Sequence, residues 1–137
     1  MNALTIELQV LGWSGLLAAV QLALMAVPAN MQLGPRYTGS ARDEQRQLTG
    51  VAGRLERAFR NQLEGLVMYA PAAIVVTAAG ASGPFTEGCA IAYLAARIVY
   101  IPLYGFGVRW WRSVVWAVGF LATILMLIAG LLQGAGG

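Results

Sequence analysis

The sequence predicts an all-α membrane protein, a bundle of four transmembrane helices in one domain. The chain of 137 residues is 58% hydrophobic and only 11% charged, and its mean hydropathy is +0.66, whereas soluble domains carry about 25% charged residues. Because one membrane helix needs about 20 apolar residues, the chain has room for about four spans. The apolar segments lie at about residues 5–27, 58–79, 85–106 and 113–133, and a polar loop lies at about residues 29–48.

The rare residue types exclude several kinds of chemistry. Cys89 is the single cysteine and the chain has no histidine. This excludes an internal disulfide, a zinc site built from Cys and His, and a catalytic Cys–His pair. The nine basic residues are all arginines, and they stand beside apolar segments or among acids rather than forming a basic face. We therefore expect no metal site, no nucleic-acid partner, and a packing role for Cys89.

The first apolar segment is predicted to be a transmembrane helix that ends at Pro28 or Asn30. A signal peptide is the competing interpretation, and the order of charges argues against it. No basic residue precedes the segment, Glu7 lies near its start, and six arginines follow between Arg36 and Arg60. The segment is therefore expected to remain part of the folded protein.

The second helix is predicted to begin after Thr49 and to end near Ala79. About thirty residues at 1.5 Å each give a length of roughly 45 Å, which exceeds the hydrocarbon core of about 30 Å. The polar first part of this helix is therefore expected to extend beyond the membrane on the cytoplasmic side. Pro71 lies inside the apolar part and is expected to kink it.

The third and fourth helices carry aromatic and basic residues at defined positions. Arg97 lies at the middle of the third apolar segment, and three tyrosines share its helical face, namely Tyr93, Tyr100 and Tyr104. The fourth helix begins at Arg109-Trp110-Trp111-Arg112, where aromatic and basic residues together indicate the membrane interface. We expect Tyr93 to be a packing residue and the two tryptophans to be interface residues.

The distribution of arginines predicts the orientation in the membrane. Six arginines lie at residues 36–60 and two at residues 109–112, whereas the connection at residues 80–84 has none. Because arginines accumulate in cytoplasmic loops, both termini are predicted on the non-cytoplasmic side. Exclusive use of arginine with abundant Ala and Gly favours a bacterial source, and hence the cytoplasmic membrane.

A polar stripe at the start of the second apolar segment is the candidate functional feature. Arg57, Asn61 and Glu64 stand at i, i+4 and i+7 and share one helical face. An arginine in the middle of a membrane helix costs about 2.5 to 3.5 kcal/mol on insertion scales, and Glu64 is the predicted partner of Arg97. The residues alone leave two interpretations open: a buried polar lock between helices two and three, or a pocket that binds a small zwitterion or anion.

Two motifs carry a resemblance to a known family. The first is Glu56-Arg57-Ala58-Phe59-Arg60-Asn61-Gln62-Leu63-Glu64, and the second is Arg97-Ile98-Val99-Tyr100-Ile101-Pro102-Leu103-Tyr104. Together with the length and four spans, the pair resembles the MAPEG family, the membrane-associated proteins of eicosanoid and glutathione metabolism. The resemblance implies a left-handed four-helix bundle assembled as a homotrimer, with glutathione bound between subunits near the cytoplasmic side. It also implies transferase or peroxidase chemistry on lipophilic electrophiles.

The resemblance implies particular site residues as well. Those that would hold or brace glutathione are Arg57, Arg60, Asn61, Glu64, Arg97, Tyr100 and Tyr104. Only the thiolate of glutathione attacks, and a free thiol has a pKa of about 8.5, so a cation or hydroxyl must favour the charged form. Arg112 is the first candidate for this catalytic role, and Arg109 and Ser113 are the alternatives. Gly65 departs from the family, because several eicosanoid enzymes have a larger residue there.

Two other functions remain as alternatives to the enzyme. A non-catalytic membrane scaffold of the same fold would bind a ligand without turnover. A small four-helix transporter of the multidrug type would need a membrane-embedded carboxylate in the first helix, where Glu7 stands close to the terminus. The polar residues concentrate instead on helices two and three. The favoured partners are therefore glutathione, a lipophilic small molecule and membrane lipids.

Overall fold

Four long α-helices make up the computed structural model, which describes residues 3–34, 48–105 and 109–136. They are α1 (Ile6–Leu33), α2 (Gly50–Ala78), α3 (Pro84–Gly105) and α4 (Arg109–Gly136), and the described ranges contain no strand. The predicted all-α, four-helix architecture is confirmed. The residues at 35–47, which hold most of the predicted polar loop, lie outside the described part.

The helices run up and down in turn. At one end of the bundle, the hydroxyl of Thr5 before α1 lies 3.0 Å from that of Thr77 near the end of α2. At the other end, the Gln32 amide accepts from the backbone N–H of Thr49 at 2.8 Å and donates to its carbonyl at 3.1 Å. We call this second end, where α1 and α3 finish and α2 and α4 begin, the arginine end. A residue near the start of α2 or α4 therefore lies close to the last turns of α3.

The first helix is longer than predicted. It continues through Pro28 to Leu33, and Gly34, with a φ of 88°, follows it and donates its N–H to Asn30. The expectation that Pro28 or Asn30 ends the helix is therefore wrong. A proline removes one backbone donor, and neighbouring helices compensate for that loss in membrane proteins. The positive φ of Gly34, which costs a glycine little, provides the actual stop.

The second helix begins and ends where the sequence predicts. Thr49 is the residue before it in an extended conformation, although its hydroxyl makes no capping hydrogen bond. Within the described ranges, three helical segments are long and apolar enough to cross a membrane: Ile6–Leu33, Pro84–Leu103 and Trp110–Gly136. The first half of α2 is too polar to qualify, so the span at residues 58–79 and its extension beyond the membrane stay predictions. The three apolar helices and the composition identify an integral membrane protein.

The core is built mainly from small residues around one pair of stacked aromatic rings. The rings of Tyr69 on α2 and Tyr93 on α3 lie 4.2 Å apart between centroids and 8° from parallel. Around this pair lie Val10, Ala72, Ala73, Val76, Cys89, Ala90, Ala122 and Met126. The packing roles predicted for Tyr93 and Cys89 are confirmed.

A carboxylate is buried at the end of the bundle opposite the arginines. Glu7 on α1 is fully buried, and its two oxygens accept from the hydroxyl of Ser82 at 3.1 and 2.9 Å. The hydroxyl of Tyr69 donates to the backbone carbonyl of Glu7 at 2.7 Å. Glu7 thus ties α1 to α2 and to the turn that precedes α3.

Helices α2 and α4 approach each other closely at Gly130. A Cβ atom at this position would lie 2.9 Å from Val75 Cγ1 and 3.1 Å from both Val76 Cγ2 and the Val76 backbone nitrogen. These distances are shorter than van der Waals contact, so the absence of a side chain sets the distance between the two helices.

Replacing Gly130 with alanine is expected to destabilise the protein by about 1–3 kcal/mol, because an added methyl group must displace packed valines and backbone. Gly134→Ala is the matched control, since a Cβ there would lie 3.5 Å from Ala79 Cβ, an ordinary contact. Thermal unfolding in detergent, followed by circular dichroism, checks both variants. Equal melting temperatures for the two variants would contradict the close approach at Gly130.

Candidate functional site

Arg97 is the centre of a buried polar cluster near the arginine end. Its side chain is only 3% exposed. Its Nε donates to Gln62 Oε1 at 2.8 Å, and its Nη1 donates to Asn61 Oδ1 at 2.8 Å. The guanidinium also lies over the ring of Tyr100, with 4.8 Å between Cζ and the ring centroid, an arrangement that favours the cation. Arg97 therefore has neutral partners on α2 and on its own helix.

The predicted ion pair between Arg97 and Glu64 is not formed. The carboxylate of Glu64 is exposed and acts on the guanidinium only as a nearby charge, whereas Arg60 and Glu56 on the same helix form an ion pair at 2.7 Å. The reason is the rotation of α2, which turns Gln62, fully buried, toward α3. The side-chain amides of Asn61 and Gln62 are thus the partners of Arg97, in place of the Glu64 carboxylate that the sequence analysis predicted.

The hydrogen bonds of Arg97 fix the orientation of both amides. Because Asn61 accepts through its carbonyl oxygen, its NH₂ group is left to donate to other groups. Gln62 likewise accepts from Arg97 and donates its own NH₂ to the backbone carbonyl of Ser14 on α1 at 3.3 Å. The cluster therefore joins three helices and leaves the Asn61 NH₂ group as a donor.

A cavity of about 160 Å³ lies beside Asn61, between α2, α3 and α4. Its walls are Asn61, Tyr100, Arg112, Ser113 and Trp116. Tyr100 is buried, Arg112 is half-buried and Ser113 is exposed. The structure thus brings together two of the three predicted catalytic candidates, Arg112 and Ser113, and two of the predicted binding residues, Asn61 and Tyr100.

The remaining predicted residues are placed differently. Arg57 and Glu64 are exposed, and Arg60 is exposed and bound to Glu56 at 2.7 Å. None of the three is among the residues that wall the described cavity. Tyr104 lies on α3 and Arg109 begins α4, but their side chains lie outside the described residues.

The sequence analysis missed the residues that tie the cluster to α1. The signal was a spacing of seven on each of two helices, which is typical of packed helix seams. On α1 the buried polar residues at this spacing are Glu7, Ser14 and Gln21. On α2, three of the fully buried residues have the same spacing, namely Gln62, Tyr69 and Val76. Gln62 meets Ser14, and Tyr69 meets Glu7. Trp116, a wall of the cavity, carried no distinctive signal in the sequence.

The chemistry of the cavity follows from its walls. Arginine and the Asn61 NH₂ group are donors, hydroxyl groups donate as well as accept, and no carboxylate is among the described wall residues. Such a surface stabilises a carboxylate or a thiolate. Trp116, stacked on Phe120 at 5.2 Å between centroids, supplies an apolar surface beside these donors.

Comparison with protein families gives one finding that bears on this geometry. The model of the MAPEG family matches residues 10–132, which include all of α2 and α3, most of α1 and α4, and every wall of the cavity. Comparison with curated proteins and with solved structures gave no significant match.

Proposed function

The chain belongs to the MAPEG family, and from this premise we propose that it is a glutathione-dependent membrane enzyme acting on lipophilic electrophiles. The observation that carries the proposal is the cavity at the arginine end, where Asn61, Arg112 and Ser113 converge beside buried Tyr100. Glutathione carries two carboxylates and a thiol, and donors of this kind fit such groups.

The proposed assembly is a homotrimer with glutathione between subunits. A cavity of about 160 Å³ in one chain is smaller than the roughly 300–1,000 Å³ of ordinary ligand pockets. Arg57, Arg60 and Glu64 are exposed on the same part of α2. A neighbouring copy that covers this surface would enlarge the cavity and bring these charged groups to the ligand. In this arrangement the arginines hold carboxylates and Glu64 holds the ammonium group.

Arg112 is the proposed activating group, assisted by Ser113. A guanidinium beside the sulfur favours the thiolate, and the thiol proton leaves to water at the cytoplasmic side. The sulfur then donates an electron pair to the electrophilic carbon of the lipophilic substrate, and the leaving group departs with its bonding pair. With a hydroperoxide, the thiolate attacks the terminal oxygen and the O–O bond breaks, and the departing alkoxide takes a proton from water to give the alcohol. A second glutathione then reduces the resulting sulfenic acid and forms glutathione disulfide and water.

Two assays on the purified protein separate this proposal from its alternatives. Calorimetry measures glutathione binding at millimolar concentration, and turnover is measured with a chloronitrobenzene electrophile and with a lipid hydroperoxide. The enzyme is expected to bind glutathione and consume at least one of the two. Binding without turnover would identify a scaffold, and no binding at all would end the proposal. Proton-coupled uptake of a cationic dye into vesicles would instead support a transporter.

Glu64→Gln is expected to weaken glutathione binding by about tenfold, because an amide replaces the charge that holds the ammonium group. Glu87→Gln is the control, since it makes the same change near the start of α3, at the opposite end of the bundle. Calorimetric titration of both variants, after their oligomeric state has been checked, measures the effect. An equal loss of glutathione affinity in the two variants would show that Glu64 does not bind the ligand.

A further inference from the structure

Two buried polar atoms lie deeper in the bundle than the glutathione cavity. Arg97 and Tyr93 are 3% and 2% exposed. The Nη2 atom of Arg97 and the phenolic oxygen of Tyr93 have no hydrogen-bond partner among the described residues. Leaving two such atoms without partners in an apolar core is costly. The Ser14 hydroxyl on α1 lies close enough to interact with the Tyr93 phenol, but the Ser14 oxygen is itself among the buried atoms without a hydrogen-bond partner. These buried groups therefore need a further partner.

Both residues border the same small cavity. Its volume is about 10 Å³, which corresponds to the space for one water molecule. Gly65 on α2 and Thr123 on α4 lie in its wall as well. A Cβ at Gly65 would lie 3.6 Å from the Tyr93 hydroxyl oxygen and 3.8 Å from Arg97 Nη1. The Tyr93 hydroxyl and the Arg97 guanidinium, whose Cζ would lie 3.9 Å from that Cβ, are therefore both close to the point where Gly65 lacks a side chain.

We infer that this cavity is a binding site for a single water molecule, made by Gly65, Tyr93 and Arg97. The water accepts from Arg97 Nη2 and hydrogen-bonds the Tyr93 hydroxyl. Thr123, whose hydroxyl donates to the Gly119 carbonyl at 2.9 Å, has a lone pair left to accept from the same water. Three polar partners are the usual number for a buried water.

The ligand is water rather than part of glutathione. A volume of about 10 Å³ matches one water molecule and is far below that of an ordinary ligand pocket. Trp116 is a wall of both this cavity and the larger one and lies between them. The bound water accepts a hydrogen bond from Nη2, the third nitrogen of the guanidinium. The other two nitrogens, Nε and Nη1, keep their hydrogen bonds to Gln62 and Asn61. Tyr93 is thus a positioning residue for Asn61, acting through Arg97.

Gly65→Ala and Gly65→Ser test the water site directly. Both side chains fit the space, because the nearest atoms to a Cβ lie at ordinary contact distance. Alanine fills the cavity with a methyl group and leaves both polar atoms without a partner, whereas serine supplies a hydroxyl in place of the water. Thermal midpoints are expected to fall by about 3 °C or more for alanine. Serine is expected to stay within about 1 °C of the wild type.

Helix propensity alone predicts the opposite order, because alanine is favoured over both serine and glycine within helices. Gly12→Ala on α1, where a Cβ would meet nothing within 4 Å, gives the propensity effect by itself and is expected to raise the midpoint or leave it unchanged. If Gly65→Ala, like Gly12→Ala, raises the thermal midpoint or leaves it unchanged, the inference of a bound water at Gly65 is wrong.

A double-mutant cycle distinguishes a shared water from independent packing. Tyr93→Phe removes the hydroxyl and keeps the ring stacked on Tyr69. It is expected to lower the midpoint in the wild type but to have less than half that effect in the Gly65→Ala background, since the water is already lost there. Equal effects in both backgrounds would overturn the inference. These measurements need no glutathione, so their result is independent of the proposed function.

Discussion

Arg97→Lys is expected to lower glutathione affinity by at least about tenfold, or roughly 1.4 kcal/mol. The planar guanidinium donates through separate nitrogens to Gln62 and Asn61, and an ammonium group cannot reproduce that fork. Without it, the Asn61 carbonyl loses the hydrogen bond that fixes the orientation of this amide beside the cavity. The charge is unchanged, so the loss is one of geometry rather than electrostatics. Calorimetric titration of the purified variant measures it.

Arg54→Lys is the control for this experiment, because it makes the same exchange on α2 outside the cavity walls. It is expected to bind glutathione within about twofold of the wild type. If Arg97→Lys also binds glutathione normally while keeping its helical content and oligomeric state, then the hydrogen bonds from Arg97 to Gln62 and Asn61 do not orient the site. In that case the cluster around Arg97 is a structural lock between helices.

Arg112→Gln is expected to lower kcat by about 100-fold and to change glutathione affinity much less. Removing one preorganised donor from a developing or stabilised anion costs about this much, whereas glutathione keeps its other contacts. The ultraviolet absorbance of bound thiolate is expected to disappear in parallel, because glutamine cannot stabilise the charge. Steady-state kinetics with a chloronitrobenzene and the difference spectrum on glutathione binding measure the two effects.

The same measurements on two further variants identify the activating group. Ser113→Ala is expected to reduce kcat less than Arg112→Gln does, since a hydroxyl donates one uncharged hydrogen bond. Arg109 precedes the cavity wall by one helical turn of α4. If Arg109→Gln removes turnover and the thiolate signal while Arg112→Gln keeps both, the activating role belongs to Arg109.

The number and course of the helices could be predicted from the sequence. Runs of apolar residues and the turn signals between them define four helices, and Thr49 correctly indicated the start of α2. The end of α1 could not be predicted from Pro28, because the effect of a proline depends on whether neighbouring helices satisfy the freed carbonyl. The positive φ of Gly34 becomes visible only in the folded chain.

The members of the candidate site could be predicted in part. The position of Arg97 within an apolar segment correctly indicated a buried cation that needs partners on α2. Its partner was predicted wrongly, because a spacing of i, i+4 and i+7 shows which residues share a face and not which face meets α3. The opposite charge of Glu64 favoured an ion pair, yet the packing of Tyr69 against Tyr93 turns Gln62 inward. That rotation depends on contacts between helices, which a local pattern does not contain.

The small residues at helix contacts show the same limit. Gly65 and Gly130 both stand inside apolar segments, and the apolar pattern does not distinguish one from the other. In the fold, Gly130 allows α4 to approach α2, whereas Gly65 leaves room beside Tyr93 and Arg97. Their roles differ because their neighbours on other helices differ.

A structure of the protein with bound glutathione tests the central claim most directly. The account predicts density for the tripeptide at the arginine end, between two copies of the chain, with its sulfur beside Arg112. An oxygen of the ligand is expected to accept from the Asn61 NH₂ group, and the ammonium group is expected beside Glu64. Glutathione bound elsewhere, with this cavity filled by side chains of a neighbouring copy, would contradict the account.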